Sequence, residues 1–180
     1  VLSEGTQLML VVKSDAYGHG MGEVASCAWS EGVRWFVVAH VAEGVRLRAL
    51  LPDAHVLVVG ATHPDDVPQA VGAGLVCVLA DGDHARALSR RAADGGWALR
   101  CHAKIDTGMG RLGIPWERAA AEIARGRVAG RPGQTISRRN SFCRRWSCVR
   151  RRSRIAECIW LTRDSERSSV WPICFIVICS

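Results

Sequence analysis

"LMLVVKSDAYGHG", residues 8–20, decides how this chain is read. Five apolar residues in a row, Leu8 to Val12, suit a strand buried on both faces, as in a parallel sheet covered by helices. The strand ends on a cation, Lys13, and turn residues follow: Asp15, Gly18 and Gly20, with His19 between the glycines. A lysine at the C-terminal end of a parallel strand stands where the active sites of β/α barrels lie. Partial desolvation there lowers an ammonium pKa and frees an amine able to attack an aldehyde. Tyr17, the only tyrosine, sits four residues on as a candidate phosphate or cofactor partner. Gly18 and Gly20 let backbone approach a ligand closely. A lone lysine at a strand end is by default a surface residue, so the reading needs further support.

The rest of residues 1–130 repeats the same rhythm. Apolar β-type runs recur at 35–39, 56–59, 75–79 and 98–105, and helix-length segments lie at 22–31, 41–51, 64–73, 82–93 and 116–125. Thr62 and Asp81 have N-cap chemistry, Pro64 and Pro115 suit a first helical turn, and Gly32, Gly74 and Gly95 suit helix exits. Strand starts 19–27 residues apart fit β/α barrel units. The expected fold class is α/β: a partial TIM-type (β/α)8 barrel of about five β/α units, followed by an irregular Arg/Cys-rich tail.

Charge separates the two parts. Residues 1–130 hold 13 Lys and Arg against 14 Asp and Glu, whereas residues 131–180 hold 11 Arg against 3 acids, so the net +7 belongs to the tail. The tail has no strand alternation and no sustained helical face. It reads best as translation in a shifted frame, ahead of a disordered basic extension and an RNA-contacting arm. Nucleic acid is not an expected partner, because basic patches normally mix Lys with Arg and no module is recognisable. Five of the eight cysteines fall in the tail without a C-x-x-C pair, so no metal site is expected. Cys27, Cys77 and Cys101 lie on apolar segments and read as buried free thiols. No apolar run approaches a membrane span, the start does not resemble a signal peptide, and nothing demands an oxidising compartment. A cytoplasmic location is therefore expected. The chain opens on Val1 and enters a strand almost at once, so its natural start is expected to be missing.

The second chemical stretch is "HAKIDTGMGRLG", residues 102–113. Strand alternation puts Arg100, His102, Lys104 and Asp106 on one face, and Leu99, Cys101, Ala103 and Ile105 on the other. Charges turned into a barrel interior must pair or bind something. "GMGRLG" matches a dinucleotide fingerprint, but Ile114 and Pro115 stand where a helix should open, and no acid lies about twenty residues on. A nucleotide site is not expected there. The chain has two lysines, Lys13 and Lys104, against 22 arginines. Both fall inside the two unusual stretches, which points to amine chemistry that Arg cannot perform.

"VVKSDAYGHG" (11–20) resembles the pyridoxal-phosphate lysine motif of alanine racemases, usually V-V-K-A-D-A-Y-G-H-G. "KIDTGMGRLG" (104–113) resembles the same family's second signature, and "WFVVAHVAEGVRLR" (35–48) is similar to its second strand and helix. The resemblance runs over about residues 6–128, with Ser14 in place of the usual alanine. It implies an N-terminal β/α barrel followed by a mainly β domain, in a homodimer. It implies pyridoxal 5'-phosphate as cofactor and interconversion of L- and D-alanine for peptidoglycan. By position, Lys13 would bind the cofactor covalently and act as one of two bases, Tyr17 would lie by the phosphate, and Arg111 would contact the ring's phenolic oxygen. Lys104 matches a lysine that is often carbamylated and orients that arginine. The departures are specific. The family's second base is a tyrosine of the partner subunit's C-terminal domain, and the only tyrosine here is Tyr17. The later barrel strands are not found after residue 130, and the family's arginine at the ring nitrogen is not placed in this chain. A non-catalytic cofactor-binding remnant and a serine racemase relative stay open beside alanine racemisation.

Overall fold

The computed structural model describes residues 7–124 and two short segments, Cys158–Ile159 and Ile176–Val177. Five parallel strands pair in chain order: β1 (Met9–Val11), β2 (Trp35–Val38), β3 (His55–Ala61), β4 (Val76–Leu79) and β5 (Arg100–Ala103). A short turn α1 (Lys13–Tyr17) and the helix α2 (Met21–Ser30) follow β1. Helix α3 (Val41–Leu50) follows β2. A 3-10 turn (Pro64–Asp66) and α4 (Val67–Gly72) follow β3, and α5 (Gly82–Asp94) follows β4. Past β5 the chain makes a two-residue parallel pair, β6 (Ile105–Asp106) with β7 (Ile114–Pro115), and enters α6 (Trp116–Ala124). This is the partial barrel expected from the sequence, with five β/α units.

The chain divides into two compact units, Gln7–Arg131 and a second made of Val1–Thr6 with Pro132–Ser180. Within the second, the described residues form one antiparallel pair, β8 (Cys158–Ile159) with β9 (Ile176–Val177). The expectations for the tail, a shifted frame or a basic arm, otherwise lie outside the described residues.

Burial on both faces of the sheet explains the continuous apolar runs. On the helix side, Val12, Phe36, Val38, Val56, Val58 and Cys77 share a core with Met21, Ala25, Leu47 and Ala70. On the other side, Val37, Leu57, Val76 and Val78 form a second cluster, against which Met9, Val11, Val59 and Leu112 pack. That second face is the inner face of the barrel wall. Lys13 comes at the next odd position after Met9 and Val11, at the C-terminal end of β1.

Three local expectations need correction. The apolar run at 98–105 is two strands, because Lys104 breaks the ladder: its N–H donates to Leu79 O and its carbonyl accepts from Ile114 N. Asp106 therefore belongs to the β6–β7 pair and does not line β5, while Arg100 is exposed and donates to Gly74 O. The cap of the 3-10 turn that leads into α4 is His63, whose Nδ1 accepts from Asp65 N, whereas Thr62 is buried. Gly95 ends α5 as read, and left-handed backbone follows at Gly96 (φ 67°). Cys27 is exposed on α2, although Cys77 is buried and Cys101 half-buried. Asp81 caps α5 as read, accepting from His84 N at 2.8 Å.

Candidate active site

The turn after β1 is left-handed. Ser14, Asp15, Ala16 and Tyr17 have φ of 52°, 55°, 54° and 57°, and none is glycine. An L residue in this conformation costs roughly 1–2 kcal/mol, so four in succession do not form from local preference. Hydrogen bonds from several directions hold the turn. Ala16 N donates to Val12 O, Gly18 N to Ser14 O, and Gly20 N to Asp15 O. Met21 N, at the start of α2, donates to Asp15 Oδ1 at 2.9 Å. Ser14 N donates to Oε1 of Glu43, on α3, at 2.7 Å.

The Glu43 carboxylate also gathers the end of the next strand. Its Oε2 accepts from Ala39 N at 2.7 Å and from His40 N at 3.4 Å. One side chain thus joins the loops that leave β1 and β2. Lys13 itself is half-buried, with Nζ 5.9 Å from the centroid of the Tyr17 ring, within cation–π range. Tyr17 is 58 % exposed, which leaves its hydroxyl end open to a ligand.

A second group of residues gathers beyond β5. Lys104 is half-buried and its Nζ donates to Leu112 O at 2.8 Å. Asp106 organises the glycine loop: its Oδ1 accepts from Gly108 N and its Oδ2 from Gly110 N, both at 2.9 Å. The Gly108 N–H above all, with those of Gly110 and Met109, holds the Asp106 carboxyl below its usual range. Gly113 must be glycine, since at φ 128° a Cβ would stand 2.9 Å from Asp106 N and 3.1 Å from Lys104 O. Arg111 lies exposed on this loop, its Nε 3.0 Å from Met109 Sδ. Burial, with Arg100 adding to it, pushes His102 down to about 4, so its imidazole is neutral at neutral pH. Burial pushes the Cys101 thiol on the opposite face up to about 12, which makes it inert.

The two groups share one end of one sheet. Lys13 follows β1 and Lys104 follows β5, the two outer strands of the five, each at its strand's C-terminal end. Tyr17 stays with Lys13, and Arg111 with Lys104. Leu112 carries the glycine loop over the inner face, packing on the cluster that Met9 and Val11 also touch. Sequence reading missed Glu43. Its signal was present as a capping-box spacing, His40-x-x-Glu43, hidden because His rather than Ser or Thr stands at the cap. Among the described residues no helix is long and apolar enough to cross a membrane, and no group of three or more His, Cys, Asp or Glu is placed to hold a metal ion.

Known proteins share this fold. Residues 1–135 match the family "Alanine racemase, N-terminal domain". The alanine racemase of Geobacter sulfurreducens is 43% identical over 120 residues, 67% of this chain and 31% of that protein. The serine/alanine racemase of Enterococcus gallinarum is 40% identical over 114 residues, 63% of this chain and 16% of that protein. Among solved structures, alanine racemase of Clostridium difficile 630 in complex with cycloserine superposes with a TM-score of 0.63 at 31% identity, covering 69% of this chain and 34% of that one. The chain thus spans about a third of the length of the curated alanine racemases it matches. The match includes both lysine stretches and the five-stranded wall that carries them, and the chain belongs to the alanine racemase N-terminal domain family.

Proposed function

We propose that this chain is the cofactor-binding part of a pyridoxal-phosphate-dependent alanine racemase, interconverting L- and D-alanine. The observation that carries the reading is the placing of Lys13. It ends the first strand of a β/α barrel wall, half-buried, on a backbone turn that no local preference would form. The donor set fits the cofactor. Lys13 offers an amine to its aldehyde, the exposed Tyr17 hydroxyl suits its phosphate, and the exposed Arg111 guanidinium suits the phenolic oxygen of its ring.

When bound, pyridoxal phosphate supplies an electron sink that acidifies the α-proton of an attached amino acid. Lys13 would anchor the cofactor, and its amine would hold or return a proton on one face. Lys104 is the candidate for carbamylation, with Arg111 as the group it orients; a carbamylated nitrogen keeps one N–H, enough for its bond to Leu112 O. Inversion needs a second base on the opposite face. The one tyrosine of this chain is already on the Lys13 side, so the 180-residue chain is expected to bind cofactor without turning over alanine. The same reading carries a homodimer, a cytoplasmic location and D-alanine destined for peptidoglycan. Serine is the second substrate to test, because the Enterococcus gallinarum relative is a serine/alanine racemase.

The test is chemical. The chain is incubated with pyridoxal phosphate, reduced with borohydride, digested and mapped by mass spectrometry. A pyridoxyl label at Lys13, lost in Lys13→Ala, is the expected result. Labelling confined to Lys104 or the N-terminal amine would sink the reading.

A further inference from the structure

We infer that Glu43 is a positioning residue for Lys13: its carboxylate holds the left-handed turn that aims the Lys13 amine. The inference rests on the reading of Lys13 as the cofactor lysine, and goes beyond it by assigning that geometry to a residue 29 positions past Ser14.

The peptide N–H that Glu43 binds is that of Ser14, the amide formed by Lys13's own carbonyl carbon. Holding this N–H at 2.7 Å fixes the plane of the peptide next to the lysine Cα. The same peptide opens the run of four left-handed L residues, a backbone that relaxes unless outside bonds determine it. The other bonds to the turn begin and end near it: Val12 O, Asp15 Oδ1 and the bonds among residues 14–20. Val12 N, just before Lys13, donates to Val37 O of β2 at 2.9 Å, and among the described residues Glu43 is the side chain that ties the turn beyond Lys13 to the next β/α unit. Because its second oxygen accepts from Ala39 N at the end of β2, the carboxylate refers the lysine turn to the neighbouring strand. Both oxygens must accept. A glutamine has one acceptor oxygen and an NH₂ group that would face an N–H, so Glu43→Gln keeps size and loses half of the clamp.

The absence of other lysines makes the test clean. Lys104, far along the chain after β5, reports on general unfolding, while Lys13 reports on the turn. The full chain and its Glu43→Gln variant are labelled with pyridoxal phosphate and borohydride, and hydrogen exchange is followed at the Ser14 and Ala39 amides. The expected result for Glu43→Gln is a tenfold or greater fall in labelling at Lys13, unchanged reactivity of Lys104 toward a small acylating reagent, and faster exchange at Ser14 or Ala39. Glycine adopts left-handed backbone freely, so the Ser14→Gly, Glu43→Gln double variant should recover part of the lost label. Where Glu43→Gln unfolds the chain, Lys104 becomes hyper-reactive, and the comparison is made instead between Glu43→Asp and the unaltered chain by the same readouts. Equal labelling of Lys13 with and without the clamp, in a folded chain, would overturn the inference and leave the cofactor reading standing. No label at Lys13 in the unaltered chain would overturn both.

Discussion

His102 shows what a single residue contributes here. It sits on the strand before Lys104, and burial sets its folded pKa near 4, below the ordinary 6.5. Above 6.5 the imidazole is neutral whether the chain is folded or not. Between about 6.5 and 4 the unfolded chain takes a proton that the folded chain refuses, so stability falls as pH falls, by at most about 1.4 kcal/mol per unit. Urea unfolding at pH 7 and pH 5 should show this loss, and His102→Gln should lessen it. An unchanged pH dependence in the variant would assign the loss to other groups. Gly113 makes a second point at this scale. Gly113→Ala puts a methyl against backbone on both sides, in a φ region that L residues avoid. It should destabilise the β6–β7 pair by about 1–3 kcal/mol and release Lys104 from Leu112, measurable as faster acylation of Lys104. The apolar runs and the two lysines were legible from residues alone, because both follow from burial and amine chemistry. The left-handed turn was not. In "KSDAYGHG" the glycines look like the conformationally special positions, yet the unusual run is Ser14 to Tyr17, held by bonds within residues 12–21 and by one from Glu43, distant in sequence.

Among elements, Arg48 is the main fastener. From α3 it donates through Nε to Ala73 O at 2.8 Å and through Nη1 to Pro52 O at 2.5 Å and Ala54 O at 2.6 Å, with Nη2 reaching Gly74 O at 3.4 Å. It thereby ties the loop before β3 to the loop before β4. Arg48→Ala leaves carbonyls of both loops without their partner and should cost about 2–3 kcal/mol, seen as a lower urea midpoint. Arg48→Lys should recover little, because one ammonium cannot span acceptors spread over two loops. A Lys variant as stable as the parent would show that charge alone suffices. The sequence reading placed α3 well and gave no hint of this role, since an Arg on a helix reads as a solvated face until the neighbouring loops are known. The broken strand at Lys104 was hidden for a related reason. "ALRCHAKID" alternates without interruption, and only the pairing of Ile105 with Ile114 shows that the ladder changes partners there.

For the whole molecule, the decisive fact is a parallel sheet whose outer strands, β1 and β5, each pair on one side only among the described residues. Such edges, above an inner face of Val37, Leu57, Val76 and Val78, favour association with other chains. Light scattering on a sizing column should show the 180-residue chain associating as concentration rises. A sharp monomer at high concentration would mean that both edges are covered. Racemisation of alanine should stay at background in the same preparation with pyridoxal phosphate added and no borohydride, even where a reduced sample shows that Lys13 takes up the cofactor. Turnover that disappears in Lys13→Ala would overturn that expectation.

The bond from Ser14 to Glu43 also bears on the order in which the molecule assembles. Twenty-nine positions separate its ends, and the left-handed turn has only its local bonds to hold it before α3 has packed against β2 and β3. The chain therefore has to close a loop spanning one whole β/α repeat before Lys13 acquires its final aim. In folding experiments the turn should behave as a late event, with Glu43→Gln accelerating unfolding and leaving the folding rate almost untouched. A nascent chain released only as far as His40 would carry the lysine but not the site.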